Sequence, residues 1–271
     1  MTLTYSVVVP CFNEEESIRG VVSRIRDVME KTGESYEIIV VDDGSTDGTH
    51  DILSEIGDIT VIRHDKNRGY GAALKTGIKD SRGKYIIITD ADGTYPFESV
   101  PEMMKYVSEY HMVVGSRNSE IVEDPLLRRV AKFILKQFAY FLSGEHIPDL
   151  NSGLRIFHRD LFLRFEHMFP DGFSFTTTIT MACVANGIPI KYVPINYFRR
   201  RGKSTINPVR DFTGFMMIIL RTVLYFKPLD IFLPVSIFFI LVGGIKLAID
   251  FAGQNHFGLG GALLVLSLIH I

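Results

Sequence analysis

The sequence predicts an α/β fold, a mostly parallel sheet flanked by helices, with an apolar tail. Three observations carry this. Short β-branched runs alternate with helix-period segments through the first half. Acidic clusters stand directly after three of those runs. From Phe212 onward the composition turns apolar.

Ser6–Val9 is the first strand-like run. Asn13, with Glu16 three residues on, reads as a capping box opening a helix that carries Ile18, Val21, Val22, Ile25, Val28 and Met29 at helical spacing. Further strands are expected at Glu37–Val41, Thr60–Ile62, Tyr85–Ile88 and Met112–Val114, with helices near Asp47–Ile56, Tyr70–Ser81 and Phe97–Tyr110 between them. Such alternation argues for a parallel sheet covered on both faces, in which ligands bind at the carboxyl ends of the strands. The second half is less regular. Pro125–Ser143 reads as a long helix with a basic face (Arg128, Arg129, Lys132, Lys136), more a solvated or headgroup-facing surface than a site. A helix ending at Ala182–Asn186, a strand at Ile190–Pro194, a basic arm at Arg199–Lys203 and an amphipathic helix at Pro208–Phe226 follow.

Leu229–Ile249 is an apolar run of about the roughly 20 residues a bilayer-spanning helix needs, with Asp230, Lys246 and Asp250 at its margins. A second apolar run, Phe257–Ile271, is short for a span, so it is either an incomplete second span or a re-entrant segment; a pair of buried core helices is the bland alternative. Lys203, Arg210, Arg221 and Lys227 precede the span, and 253–257 carries no Lys or Arg, which places the preceding domain on the cytoplasmic side. No charged and apolar leader precedes the first strand, so no cleavable signal peptide is expected. Expected divisions are 1–207 for the catalytic domain, 208–227 for an interfacial helix and 228–271 for the membrane region.

The 271 residues carry a net charge of −2, which gives no global basic field for nucleic acid. Cys11 and Cys183 offer neither a C-x-x-C spacing nor a disulfide framework. The eight histidines show no metal-ligand spacing. There is no P-loop and no dinucleotide fingerprint after the first strand.

The chemistry lies in Pro10-Cys-Phe-Asn-Glu-Glu15, Val41-Asp-Asp-Gly-Ser-Thr-Asp47 and Thr89-Asp-Ala-Asp-Gly-Thr94. Read singly, Asp43-Gly and Asp92-Gly are turn sequences. Together they gather carboxylates at one sheet edge, a costly arrangement unless something cationic or hydrogen-bonding sits there. Asp90 and Asp92, one residue apart at a strand exit, are suited to a hard divalent cation, Mg2+ or Mn2+, whose other ligands are phosphates.

These motifs, with Asn67-Arg-Gly-Tyr-Gly71 and in this order, resemble the inverting family 2 glycosyltransferases with a GT-A fold. Val114-Gly-Ser-Arg117, Asp149-Leu-Asn-Ser-Gly153 and Arg199-x-x-Gly-x-Ser204 are similar to the branch of dolichyl-phosphate mannose and glucose synthases and bacterial polyprenyl-phosphate glycosyltransferases. The resemblance spans about residues 4–227. It implies transfer of a hexose from a GDP- or UDP-linked nucleotide-sugar donor to a polyprenyl or dolichyl phosphate at the cell membrane. Pro10, Phe12, Glu14, Asp42 and Asp43 would line the base and ribose pocket. Asp90, Ala91 and Asp92 would meet the diphosphate and metal. Arg117, Ser152 and Arg199, helped by Lys203, would hold the acceptor phosphate, and Asp92, Arg117 and Arg199 would form the catalytic group. The sequence departs from relatives at Pro148, at Thr205 and in Gly93-Thr-Tyr-Pro96.

A phosphate acceptor is already an anion, so no general base is expected. Transfer to a hydroxyl would need one, with Glu98 and Asp149 as candidates. A non-catalytic membrane scaffold keeping the same fold is the alternative of another class. Arg199–Arg201 also reads as the positive-inside flank of a membrane helix, and Arg117 as a structural pairing residue.

Overall fold

Seven strands build one sheet in the order β3-β2-β1-β4-β6-β5-β7, seen in a computed structural model that describes residues 3–117, 140, 147–172, 174–198 and 228–252. They are β1 (Tyr5–Cys11), β2 (Tyr36–Asp42), β3 (Thr60–Arg63), β4 (Tyr85–Ile88), β5 (Met112–Arg117), β6 (Arg155–His158) and β7 (Ile190–Ile195). The pairings β1–β2, β1–β4, β2–β3 and β5–β7 are parallel. Only β6 runs the other way, antiparallel to β4 and to β5. This is the α/β GT-A architecture, and β6 and the helix Arg159–Phe165 that follows it are elements that sequence periodicity does not reveal.

The helices described around this sheet are α1 (Ile18–Thr32), α2 (Thr49–Glu55), α3 (Tyr70–Asp80), α4 (Val100–Met104, entered through a 3-10 turn at Phe97–Ser99), α5 (Arg159–Phe165) and α6 (Phe175–Ala185). The central strands β1 and β4 are buried on both faces, as continuous apolar runs such as Val7-Val-Val and Ile86-Ile-Ile require, while the edge strands β3 and β7 are partly exposed. One face packs Val7, Val9, Val40, Ile87, Val113 and Ile156 against the Ile18–Met29 stripe of α1 and against Phe97, Val100 and Met103. The other face receives α3, where Ala73 meets Ile39 and Val41. Gly77 lets α3 come this close, since a Cβ there would lie 2.5 Å from Val8 Cγ1 and 3.0 Å from Val41 Cγ2. Gly77→Ala is therefore expected to cost about 1–3 kcal/mol by overpacking, read as a lower denaturant midpoint with an unchanged slope.

Two local expectations are corrected. The capping box at Asn13 and Glu16 does not form: α1 begins at Ile18, with no side-chain cap from Ser17. Asn13 instead adopts φ 55 and accepts a hydrogen bond from the Thr46 amide at 2.8 Å, so it joins two loops rather than starting a helix. The helix expected over Phe97–Tyr110 is shorter, because turns replace it after Met104. The helices expected at Pro125–Ser143 and Pro208–Phe226 lie, wholly or almost wholly, outside the described residues.

The chain divides into two units, 1–218 and 219–271. In the second, α7 runs Pro228–Ala252 with Pro234 inside it. Leu233, Ile237, Phe238, Leu241 and Ile245 are exposed on it. Side chains are described without a break only over 232–246, and among the described residues no helix is long and apolar enough to cross a membrane.

Candidate active site

The carboxyl ends of β1, β2, β4 and β5 share one edge, and β6 enters the sheet there, with Arg155 in register with Ile88 and Val114. The loops after β1 and β2 are stitched together. Asp43 N–H donates to Cys11 O at 2.8 Å, Asn13 N–H to Ser45 Oγ at 3.0 Å, Glu14 N–H to Thr49 Oγ1 at 2.9 Å and Gly48 N–H to Glu15 Oε2 at 2.7 Å. This reciprocal pattern holds Phe12 at the surface, 42% exposed, with Pro10 buried beneath it and Glu14 half-buried beside it. Such placement offers an aromatic surface and a carboxylate to a nucleoside.

Asp42 and Asp43, which the resemblance places at the base and ribose pocket, are both buried at the end of β2. Asp43 is enclosed by three partners: His64 Nδ1 at 2.6 Å, Arg68 N–H at 2.9 Å and Gly69 N–H at 2.8 Å. It thereby fixes the Asn67–Gly71 segment that leads into α3. Asp42 accepts from Ser45 N–H at 2.8 Å through Oδ1. Its Oδ2 has no hydrogen-bond partner among the described residues and faces His50 Nδ1 at 3.4 Å and Arg63 Nε at 3.5 Å. Only tertiary contact, not the turn-like sequence, reveals these roles.

After β4, Asp90 and Asp92 are half-exposed on either side of buried Ala91. Asp90 Oδ1 accepts from Tyr70 Oη at 2.9 Å. Asp92 Oδ1 accepts from Thr94 N–H at 3.0 Å and Thr94 Oγ1 at 2.6 Å, an Asx turn that sets its direction. Among the described residues no group of three His, Cys, Asp or Glu stands ready for a metal. Two carboxylates nevertheless fit a hard divalent cation that takes its remaining ligands from a diphosphate. Burial raises the pKa of Tyr70 and of Tyr95, with the Asp90 charge adding to it, so both phenols stay protonated.

The residues that the resemblance assigns to the acceptor phosphate gather, as far as they are described, around the loop 149–153. Arg117, the last residue of β5, donates from Nε (2.8 Å), from a terminal guanidinium nitrogen (2.9 Å) and from its backbone N–H (3.2 Å) to the Asp149 carboxylate. Its guanidinium also lies 5.4 Å from the Tyr197 ring centre. Burial opposes the charge on Arg117, but the Asp149 hydrogen bonds and charge outweigh it and raise its pKa. Burial likewise pulls the Asp149 pKa up, and the bonds from Arg117 and Asn151 more than offset this, so it is lowered. A lowered folded pKa adds stability that is complete above the unfolded carboxylate value, about 4, and is lost as pH falls through the folded value. Asp149→Asn should thus lower Tm at pH 7, with the gap closing below about pH 4, checked by melts across pH 3–7.

Ser152, which the resemblance places at the acceptor phosphate, lies inside this loop. It is fully buried, and its hydroxyl donates to Gly115 O at 2.5 Å. Arg199 and Lys203 lie outside the described residues. The sequence reasoning missed Tyr70, Tyr95 and Arg155. Tyr95 Oη accepts from Gly153 N–H at 2.7 Å, and Arg155 is wholly buried under the same loop.

Residues 6–165 match the family described as Glycosyl transferase family 2. The chain is similar to the low-salt glycan biosynthesis hexosyltransferase Agl6 of Haloferax volcanii, 32% identical over 97% of this chain and 65% of that protein. It is also similar to dolichyl-phosphate beta-glucosyltransferase of Saccharomyces cerevisiae, 27% identical over 71% of this chain and 66% of that one. This chain thus spans about two thirds of the length of either relative. In fold it is similar to glucosyl-3-phosphoglycerate synthase from Mycobacterium tuberculosis, crystallised with Mn2+, UDP and phosphoglyceric acid. The TM-score is 0.63 at 20% identity, covering 82% of this chain and 78% of that one.

Proposed function

This chain belongs to glycosyl transferase family 2, and we propose that it transfers a hexose from a GDP- or UDP-linked donor to a polyprenyl or dolichyl phosphate at the cytoplasmic face of a membrane. One observation supports the choice of acceptor. Both oxygens of Asp149, a candidate base, already accept from Arg117 or Asn151 N–H, while the Arg117 guanidinium keeps a partly exposed side for an anion. The other candidate base, Glu98, lies on the 3-10 turn before α4, 3.4 Å from Arg24 Nε.

Phe12 and Glu14 would take the nucleoside, and Asp90 and Asp92 would hold Mg2+ or Mn2+ against the diphosphate. When bound, that ion neutralises the diphosphate and eases its departure. Arg117 would orient the acceptor phosphate, with Arg199 and Lys203 as further cations. A non-bridging phosphate oxygen bonds to the anomeric carbon as the bond to the donor diphosphate breaks, and the electron pair leaves with the nucleoside diphosphate. The acceptor is mostly a dianion at neutral pH, so no proton need be removed, and a single displacement inverts the centre. Catalysis then rests on positioning and electrostatics. The apolar run 229–249, with cations before it and none at 253–257, supports membrane attachment near the lipid acceptor.

The test is a panel of UDP- and GDP-sugars with a short polyprenyl phosphate, with Mg2+, Mn2+ or chelator. A chelator-sensitive sugar–phosphate–lipid from one donor is the expected result. Donor hydrolysis without any lipid product would overturn the acceptor assignment.

A further inference from the structure

Arg155 is a fully buried cation whose described acceptors are neutral. Nε donates to Ser152 O at 2.7 Å, one terminal nitrogen to Leu150 O at 2.7 Å and the other to Thr180 Oγ1 of α6 at 2.6 Å. A buried charge is costly, and burial pulls this guanidinium's pKa down. What it supplies is geometry: a rigid fork reaches two carbonyls of one loop and a helix hydroxyl together, which an ammonium or an apolar side chain does not. Helix α6 adds a second brace, Thr177 Oγ1 donating to Asn151 Oδ1 at 2.6 Å.

The loop so held touches both halves of the site. At its start Asp149 grips Arg117. At its end Gly153 lies so close to Asp90 that a Cβ on it would stand 2.8 Å from each carboxylate oxygen. We infer that Arg155 is a positioning residue for donor and acceptor sides at once: by holding residues 149–153 it sets Arg117 through Asp149 and backs Asp90 through Gly153. This rests on the reading above, in which Asp90 faces the metal and diphosphate and Arg117 the acceptor phosphate. It predicts that the two binding constants move together when the support is weakened, although Arg155 touches neither ligand.

The test uses the full chain in detergent with three variants. Thr180→Val removes the helix acceptor with little change of shape, Arg155→Lys keeps the charge and loses the fork, and Tyr70→Phe removes only the hydroxyl bonded to Asp90. Two constants are read: Mn2+ affinity by calorimetry at saturating UDP or GDP, and KM for a short polyprenyl phosphate. Thr180→Val and Arg155→Lys are expected to weaken both by about tenfold, and Tyr70→Phe the metal constant alone. A folded Thr180→Val or Arg155→Lys with either constant unchanged overturns the inference; should Arg155→Lys fail to fold, Thr180→Val decides. Asp90→Asn separates the levels. If it binds Mn2+ as wild type does, the reading of Asp90 falls and takes the inference with it. If it loses Mn2+ while Thr180→Val is silent, the inference alone falls.

Discussion

Asp90→Asn is expected to lower kcat by about 100- to 1,000-fold while leaving Tm nearly unchanged. The exchange keeps size and one oxygen, so the hydrogen bond from Tyr70 survives. In the proposed site it removes a charge that would hold the cation at the diphosphate, and the lost term would act as the leaving group departs rather than when the donor binds. The donor Kd measured with chelator present should therefore change little, while kcat collapses. Steady-state kinetics beside a donor titration without metal checks this. A variant with kcat within a few-fold of wild type would remove Asp90 from the reaction. Asp92→Asn should act in the same direction, with an added cost from its Asx turn to Thr94.

The second large effect is on stability. Asp43→Ala should cost about 3–5 kcal/mol, near the whole margin of a marginal domain. The loss leaves His64 Nδ1 and two backbone N–H groups, of Arg68 and Gly69, without their common acceptor. Asp43→Asn, whose amide carries a single acceptor oxygen, should cost less. Chemical denaturation of the three proteins orders them wild type, Asn, Ala. An equal midpoint for Asp43→Ala would mean that water replaces the carboxylate at no cost.

The parallel half of the sheet was legible because its strands are unbroken apolar β-branched runs and its helices carry a clean 3.6 period. The antiparallel β6 was not: Arg155-Ile-Phe-His is four residues long, begins with a charge and shows no alternation. The helix expected to end at Ala182–Asn186 forms as α6; of its threonines, 178 and 180 bond through their hydroxyls to carbonyls a turn back and 177 to the loop 149–153, which the sequence does not announce. The strand-end motifs do gather at one carboxyl edge of the sheet, as their positions after β1, β2 and β4 require, but they do not say which partners each side chain takes. The Asp43 carboxylate accepts from the Gly69 amide and the Ser152 hydroxyl donates to Gly115 O, bonds that the motifs do not announce. Such distinctions rest on partners far away in sequence, which no local pattern encodes. Arg155 illustrates the same limit, since an arginine at a strand start carries no sign that it is buried.

The most direct measurement offers the enzyme its donor with two matched acceptors, a short polyprenyl phosphate and the same polyprenol without phosphate, across pH 5–9. Transfer to the phosphate alone, with a rate rising through the acceptor's second ionisation near about pH 6 and then level, is the expected result. Transfer to the alcohol, with a rising limb set by an enzyme group, would contradict an acceptor site built from Arg117 and a neutralised Asp149.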